Sequence, residues 1–391
     1  MREVYVVGIG ITSFTRLEYP LSEIAAYPAM VALKDAGLSK VDHVYVANMA
    51  SARLNHQSGL ASAVVDSLSL TPAGATTIEN GPASGGSAIL QGFLGIASGM
   101  FDVALVTGAE RLREVNNLEA TEVVAALAHP LAEQIYGVTL PSLAAMFTRL
   151  YMQKYGVTER HLAMVAVKNH DNALDNFYAH LHEKITIEGI LDSPEASTNN
   201  PYVAEPLRFF DCCPVSDGGA CVILASKEVA QKLGKPMIRL AGVGQATDTH
   251  CVHERAEPTD LLAVRGAAEQ AYKMSGLTPS HVHVAELHDA FTILEIAESE
   301  EVGFFKKGEG HLALERGETR LNGKLPINTS GGLKAKGHPV GATGIGQAHE
   351  IVLQLRGEAG KRQVKEAQVG FTCNFGGFGN NVVCLIFKRE D

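Results

Sequence analysis

Residues 4–108 and 238–388 carry the same order of elements, and that recurrence constrains the fold more than any other feature. Val4-Tyr5-Val6-Val7-Gly8-Ile9-Gly10 is an apolar run closing on Gly-x-Gly, which reads as a buried strand with a glycine turn. Ile238-Arg239-Leu240-Ala241-Gly242-Val243-Gly244 repeats it. After the first run the pattern predicts a helix over 21–36, a strand at His43–Ala47, an extended piece at Thr76–Glu79, a small-residue helix over 83–99 and a strand from Val103. After the second it predicts a helix near 258–275, a strand over 282–287, a glycine-rich helix start at 341–356 and strands over 367–373 and 381–388. Strands alternating with helices of this length imply parallel pairing through helical crossovers. Two such units in tandem imply an internal duplication. Neither glycine pair completes G-x-G-x-x-G, so a dinucleotide site is not expected.

The chain has 391 residues, more than one ordinary core holds, which fits two layered units. Its net charge of −10, with no lysine or arginine run, argues against a nucleic-acid partner. No apolar run reaches the roughly 20 residues that span a membrane. Met1-Arg2-Glu3 leads straight into the first strand with no secretory leader pattern, so the expected location is cytoplasmic. The six cysteines (Cys212, Cys213, Cys221, Cys251, Cys373 and Cys384) contain no CxxC pair and lack zinc-ligand spacing. Reduced thiols and no metal are expected, with Cys212-Cys213 read as packing.

Residues 110–205 fit neither half. A Glu-rich stretch at 110–122, a helical segment near 139–155 and a His-, Asn- and Lys-rich region at 160–184 read as an inserted loop or lid domain. It separates an N-terminal half, 1–109 with 206–235, from a C-terminal half, 236–391. Lys154, Arg160, His161, Lys168 and Lys184 are its cations, either phosphate contacts or a solvated face.

Three motifs carry chemistry. Gly331-Gly332-Leu333-Lys334-Ala335-Lys336-Gly337-His338-Pro339-Val340-Gly341-Ala342-Thr343-Gly344 sets a histidine just ahead of a helix. The proline fixes the turn, and the glycines let a ligand approach the backbone. His338 is thereby a candidate base or hydrogen-bond donor. Gly370-Phe371-Thr372-Cys373-Asn374-Phe375-Gly376-Gly377-Phe378-Gly379-Asn380 delivers a cysteine into a glycine hairpin, where an exposed, proton-exchanging thiol is expected. Glu286-Leu287-His288-Asp289-Ala290-Phe291 ends a strand on a histidine able to orient a water or bind a substrate oxygen.

Together and in this order, these motifs resemble the thiolase superfamily over essentially the whole chain. The His-Asp-Ala-Phe form is similar to the sterol-carrier-protein and archaeal branch, and Pro214-Val215-Ser216-Asp217-Gly218-Gly219 matches the family pattern before a core strand. The resemblance implies an α/β fold of duplicated βαβαβαββ halves in a layered α-β-α-β-α sandwich. It implies that His338 activates a nucleophilic cysteine, that Cys373 moves an α-proton, and that His338 with a water held by His288 forms an oxyanion hole. A second hole would use an N–H of the Gly376-Gly377 hairpin and the N–H of the nucleophile.

The nucleophile is missing. In Ile78-Glu79-Asn80-Gly81-Pro82-Ala83-Ser84-Gly85-Gly86-Ser87-Ala88, the family's cysteine position is Pro82. Proline has neither a thiol nor a backbone N–H, so the covalent route and one oxyanion donor disappear together. The donor alone is worth about 2.7–4 kcal/mol in comparable sites. A helix turns Ser84 roughly 200° from position 82, which makes a serine substitute a minor alternative. A site that polarises a thioester and moves a proton without an acyl-enzyme suits retro-aldol cleavage of a β-hydroxyacyl-CoA. A thiolase or acetyl-CoA acyltransferase with another nucleophile, and a non-catalytic acyl-CoA-binding subunit, are the alternatives. The resemblance further implies coenzyme A only as part of the substrate and no tightly bound cofactor. It also implies a homodimer and a small zinc-ribbon/OB-fold partner subunit.

Overall fold

Gly8 and Gly10 lie inside a strand, not in a turn, because a helix rests directly on them. In the computed structural model, which describes residues 1–390, a Cβ on Gly10 would come within 2.1 Å of the Pro28 carbonyl oxygen in the helix Leu21–Ala36. The second half repeats the device: a Cβ on Gly244 would come within 2.0 Å of the Ala267 carbonyl oxygen in the helix Leu262–Ser275. The duplicated Gly-x-Gly therefore sets a close helix–sheet distance.

The strands are β1 (Val4–Ile11), β2 (His43–Ala47), β3 (Gly74–Ile78), β4 (Val103–Arg111), β5 (Tyr202–Ala204), β6 (Leu207–Arg208), β7 (Asp217–Ser226), β8 (Ile238–Thr247), β9 (Val284–Glu286), β10 (Val369–Gly376) and β11 (Asn381–Arg389). β5 and β6 form a small hairpin, and the other nine lie in the order β3-β2-β4-β7-β1-β8-β11-β10-β9. The order reads outward in the same way from the β1–β8 junction, where Tyr5 pairs with Arg239 and Val6 with Ile238. β2 is parallel to β3 and β4, and β9 is parallel to β10. Beside these parallel pairs, β4/β7, β7/β1, β1/β8, β10/β11 and β11/β8 are antiparallel. β10 and β11 are joined by a tight hairpin, and β7 returns from the long excursion after β4, so neither uses a helical crossover.

The helices Leu21–Ala36 and Leu262–Ser275 cover the outer faces. Ser84–Ala97 and Thr343–Arg356 pack together between the halves, where a Cβ on Gly85 would come within 2.9 Å of the Gly344 nitrogen. This gives the layered α-β-α-β-α order. Residues 110–205 do not stand off as a loose lid. Leu140, Phe147, Tyr151 and Leu162, from the helices Leu140–Tyr155 and Glu159–Ala173, share a core with Phe291, Leu294 and Phe375 of the second half. No helix is long and apolar enough to cross a membrane among the described residues.

Candidate active site

The chemistry collects at the C-terminal ends of the parallel strands, where open α/β sheets place their ligands. β3 runs into Pro82, β9 into His288 and β10 into Asn374, while the loop before the helix Thr343–Arg356 supplies His338. Pro82, His288, His338, Phe375 and Gly377 line one cavity of about 170 Å³.

Buried carboxylates hold this arrangement. Asp289 accepts the backbone N–H groups of Leu333 at 2.6 Å and Lys334 at 3.3 Å, tying the His288 strand end to the loop that carries His338. Gly332 permits that clamp, since with φ of 59° a Cβ there would lie 2.3 Å from the Asp289 carboxylate. The inserted helix buttresses it from behind. Asn169 donates to Asp289 at 2.6 Å and to Glu295 at 2.9 Å, and Lys168 pairs with Glu295 at 2.9 Å. From the first half, Glu110 accepts the N–H groups of Met49, Ala50 and Gly341, and its pKa is pushed up to about 7 by burial. Ser216 of the Pro-Val-Ser-Asp-Gly-Gly motif accepts the His338 backbone N–H at 3.4 Å.

The hydrogen-bond network fixes both imidazole tautomers. Thr343 Oγ1 lies 2.9 Å from the Pro339 carbonyl oxygen and 2.7 Å from His338 Nδ1. Two oxygens that close repel unless a proton lies between them, so the single hydroxyl proton goes to Pro339 and Oγ1 accepts from His338 Nδ1–H. His338 Nε2 is then the unprotonated nitrogen. Asn374 Oδ1 accepts the Gly86 N–H at 2.9 Å, so its amide nitrogen donates to the Pro82 carbonyl at 2.9 Å and to His288 Nδ1 at 3.3 Å. His288 therefore carries its proton on Nε2. The rings stand edge to face with centroids 4.9 Å apart, one a base and the other a donor. Burial depresses the pKa of both: His338 falls to about 3, and His288 falls well below its ordinary value, with His338 as the second cause. Both are neutral at pH 7.

Cys373 is not the exposed thiol expected from its glycine-rich surroundings. Alternation along β10 places it on the same face as Phe375 but one step deeper, fully buried and off the cavity wall. Its pKa is driven well above the ordinary thiol value, first by burial, then by the neighbouring Cys384 thiol and the Glu298 carboxyl. Gly377 borders the cavity, whereas Gly376 seats the hairpin on the Pro82 turn, where a Cβ would come within 3.0 Å of Ala83 Cβ. Ser84 is buried and committed, accepting the Asn80 N–H at 2.8 Å and donating to the Gly81 carbonyl at 2.6 Å. The inserted cations are also largely engaged: Lys154 with Glu257, Arg160 with Asp192, His161 with Glu315 and Lys168 with Glu295.

Family models match both halves in register with this architecture: "Thiolase, N-terminal domain" over residues 4–228 and "Thiolase C-terminal domain-like" over residues 244–389. The chain belongs to the thiolase family. It is 41% identical over 392 residues to an acetyl-CoA acetyltransferase of Methanothermobacter thermautotrophicus, covering all of both chains. It is 32% identical over 416 residues to sterol carrier protein 2 of Homo sapiens, covering 99% of this chain and 72% of that one. Among solved structures, an Ltp2-ChsH2(DUF35) aldolase superposes with a TM-score of 0.84 at 26% identity, covering 99% of this chain and 98% of that one.

Sequence reasoning missed several residues of this thiolase-family site. Asn374 was hidden beside the more conspicuous Cys373, although an amide next to a glycine hairpin at a strand end was a readable signal. Cys212 and Cys213, read as packing, line the cavity. Burial pushes both thiols up, Cys213 to about 12, so both stay protonated. Glu298 gave no signal at all. It accepts the His288 N–H at 2.9 Å and lies against the Cys373 thiol, and burial raises its pKa to about 8.

A prediction follows from Glu298. The folded state holds this proton from about pH 4.5 to about 8, where the unfolded chain has lost it, so stability falls as pH rises through that window. Glu298→Gln keeps an oxygen for the His288 N–H and cannot ionise. Between pH 6 and 8 the parent should lose about 2–3 kcal/mol more than the variant, at roughly 1.4 kcal/mol per pH unit. Denaturant unfolding of both proteins at the two pH values measures this, and parallel pH dependences would refute the protonated carboxyl.

Proposed function

We propose that this thiolase-family protein is a CoA-dependent carbon–carbon lyase that cleaves β-hydroxyacyl-CoA by a retro-aldol reaction, without an acyl-enzyme. The observation that carries the reading is the pairing of an unprotonated His338 Nε2 with a protonated His288 Nε2, in a cavity where proline stands at the nucleophile position. His338 Nε2 takes the β-hydroxyl proton. The oxygen's electron pair forms the carbonyl of the leaving ketone or aldehyde, and the Cα–Cβ bond breaks. Its electrons pass to the thioester as an enolate, whose oxygen accepts from His288 Nε2–H. The His338 imidazolium then returns the proton to Cα, giving a shortened acyl-CoA. Every proton is accounted for by His338, so no thiol is required. In this scheme the donor is the His288 ring itself, not a water it holds.

An acyltransferase is the second reading. The full-length likeness to an acetyl-CoA acetyltransferase and the presence of Cys212 and Cys213 on the cavity wall favour it. The raised thiol pKa values count against it, since the thiolate is the nucleophile. The proposal includes coenzyme A as part of the substrate and a cytoplasmic location. It also includes a homodimer and a small partner subunit, the latter in keeping with a neighbour named as an Ltp2-ChsH2(DUF35) aldolase.

The test is mass spectrometry of the protein incubated with β-hydroxyacyl-CoA, and separately with β-ketoacyl-CoA plus CoA. The expected result is release of a carbonyl compound and acyl-CoA from the first, with no covalent adduct in either. An acyl adduct on Cys212 or Cys213 would overturn the lyase reading in favour of acyl transfer. Neither product nor adduct, with the partner subunit supplied, would leave only a binding role.

A further inference from the structure

The cavity beside the two histidines has a composition that selects its ligand. Its walls are Phe291, Leu294, Phe375, Phe378, Val340 and Leu140 among other apolar groups, and no Asp, Glu, Lys or Arg lines it among the described residues. Phe375 and Phe378 form an aromatic corner of the wall. Phe375 stacks on His288 at 5.9 Å and meets Phe378 edge-on at 6.0 Å, and Phe378 meets Phe147 edge-on at 5.7 Å. The volume of about 170 Å³ is close to the roughly 150 Å³ of a dry apolar cavity that accommodates benzene.

We infer that the cavity is a specificity pocket for an uncharged, ring-sized apolar group on the β-carbon of the acyl-CoA, and that it rejects acyl groups ending in a carboxylate. The inference rests on the lyase reading for its reaction but on the cavity alone for its ranking of ligands. A methyl group on the β-carbon would leave most of the space unfilled and forgo the aromatic contacts. A phenyl ring takes up much more of it and meets the Phe375–Phe378 wall. A terminal carboxylate would enter a chamber with no cationic side chain and would have to give up its hydration without a partner. The reaction that supplies such a substrate must install a hydroxyl β to a thioester on a ring-bearing or similarly bulky acyl chain. The reaction that consumes its product must accept the corresponding apolar aldehyde or ketone.

The test uses two measurements on the full chain. Binding of β-phenylpropionyl-CoA, butyryl-CoA and glutaryl-CoA, none of which has a β-hydroxyl, reports the pocket without the chemistry. The phenyl ligand should bind at least about tenfold tighter than butyryl-CoA, and glutaryl-CoA at least about tenfold weaker than butyryl-CoA. Val124 is a half-buried lining residue, so Val124→Trp narrows the cavity and should weaken the phenyl ligand about tenfold more than it weakens butyryl-CoA. Equal affinities for the three ligands, or tight glutaryl-CoA binding, would overturn the inference. Turnover of β-hydroxy-β-phenylpropionyl-CoA against β-hydroxybutyryl-CoA is then measured separately. The expected binding order without cleavage of either compound sustains the pocket and sinks the lyase. Cleavage of both with equal kcat/KM sustains the lyase and sinks the pocket.

Discussion

Pro82→Cys should acquire an acyl group from acetyl-CoA where the parent acquires none. The substitution restores two groups at one position. It supplies a thiol on the wall of the cavity that His338 also lines, and it supplies the backbone N–H that proline lacks. The new thiol would stand just ahead of the helix Ser84–Ala97, whose N-terminus favours a thiolate. His338 Nε2, left unprotonated by the Thr343 arrangement, is the available base. The turn should survive the change, because the Asn374 bond to position 82 uses the carbonyl oxygen and Ser84 holds Asn80 and Gly81 through its hydroxyl. Intact-mass and peptide mapping after incubation with acetyl-CoA should show one acetyl group at position 82. Pro82→Ala, which restores the N–H without a thiol, should show none. An unmodified Pro82→Cys protein with a native fold would mean that position 82 is not the nucleophile position.

Much of this site was legible because its chemistry depends on backbone geometry that few residues permit. Gly-His-Pro-x-Gly-x-Thr-Gly located His338 and its helix, and the recurrence of Gly-x-Gly located the duplication. The reason for those glycines was not legible: they read as turns, whereas they are strand positions against which helices rest at carbonyl distance. Cys373 and Asn374 show the limit more sharply. A sequence motif fixes which residues arrive at a strand end, but only packing decides what each side chain meets, and here the amide reaches His288 while the thiol, one step below the cavity-lining Phe375, meets Glu298 and Cys384. The pairings of the inserted segment were hidden for a related reason. Its lysines and histidines looked like a free cationic supply, and their carboxylate partners at 192, 257, 295 and 315 lie at sequence distances that no local pattern connects. Lys168 and Asn169, which brace the His288 and His338 loops, act through such long-range partners.

Replacing His338 with asparagine should lower kcat for carbon–carbon cleavage by roughly 10²–10⁴, the range of a general acid–base catalyst. KM should change little, because the apolar walls that hold the acyl group remain. The pH dependence separates this role from a structural one. Burial holds the His338 pKa near 3, so the parent's kcat should show no acid limb from this group between pH 7 and pH 5, as an unshifted histidine would. Stability carries the opposite signature. With the folded pKa below the ordinary 6.5, the neutral ring's contribution is fully present above pH 6.5 and is lost as pH falls towards 3, because the unfolded chain binds the proton first. Asparagine has no such loss, so at pH 5 the variant should recover about 2 kcal/mol relative to the parent compared with the same difference at pH 7. Thr343→Val, which removes the acceptor for Nδ1–H, supplies the finer test. It frees the tautomer without removing the ring, so it should reduce kcat by less than the asparagine variant does. A Thr343→Val protein with unchanged kcat would show that the proton on Nδ1 does not set the base at Nε2.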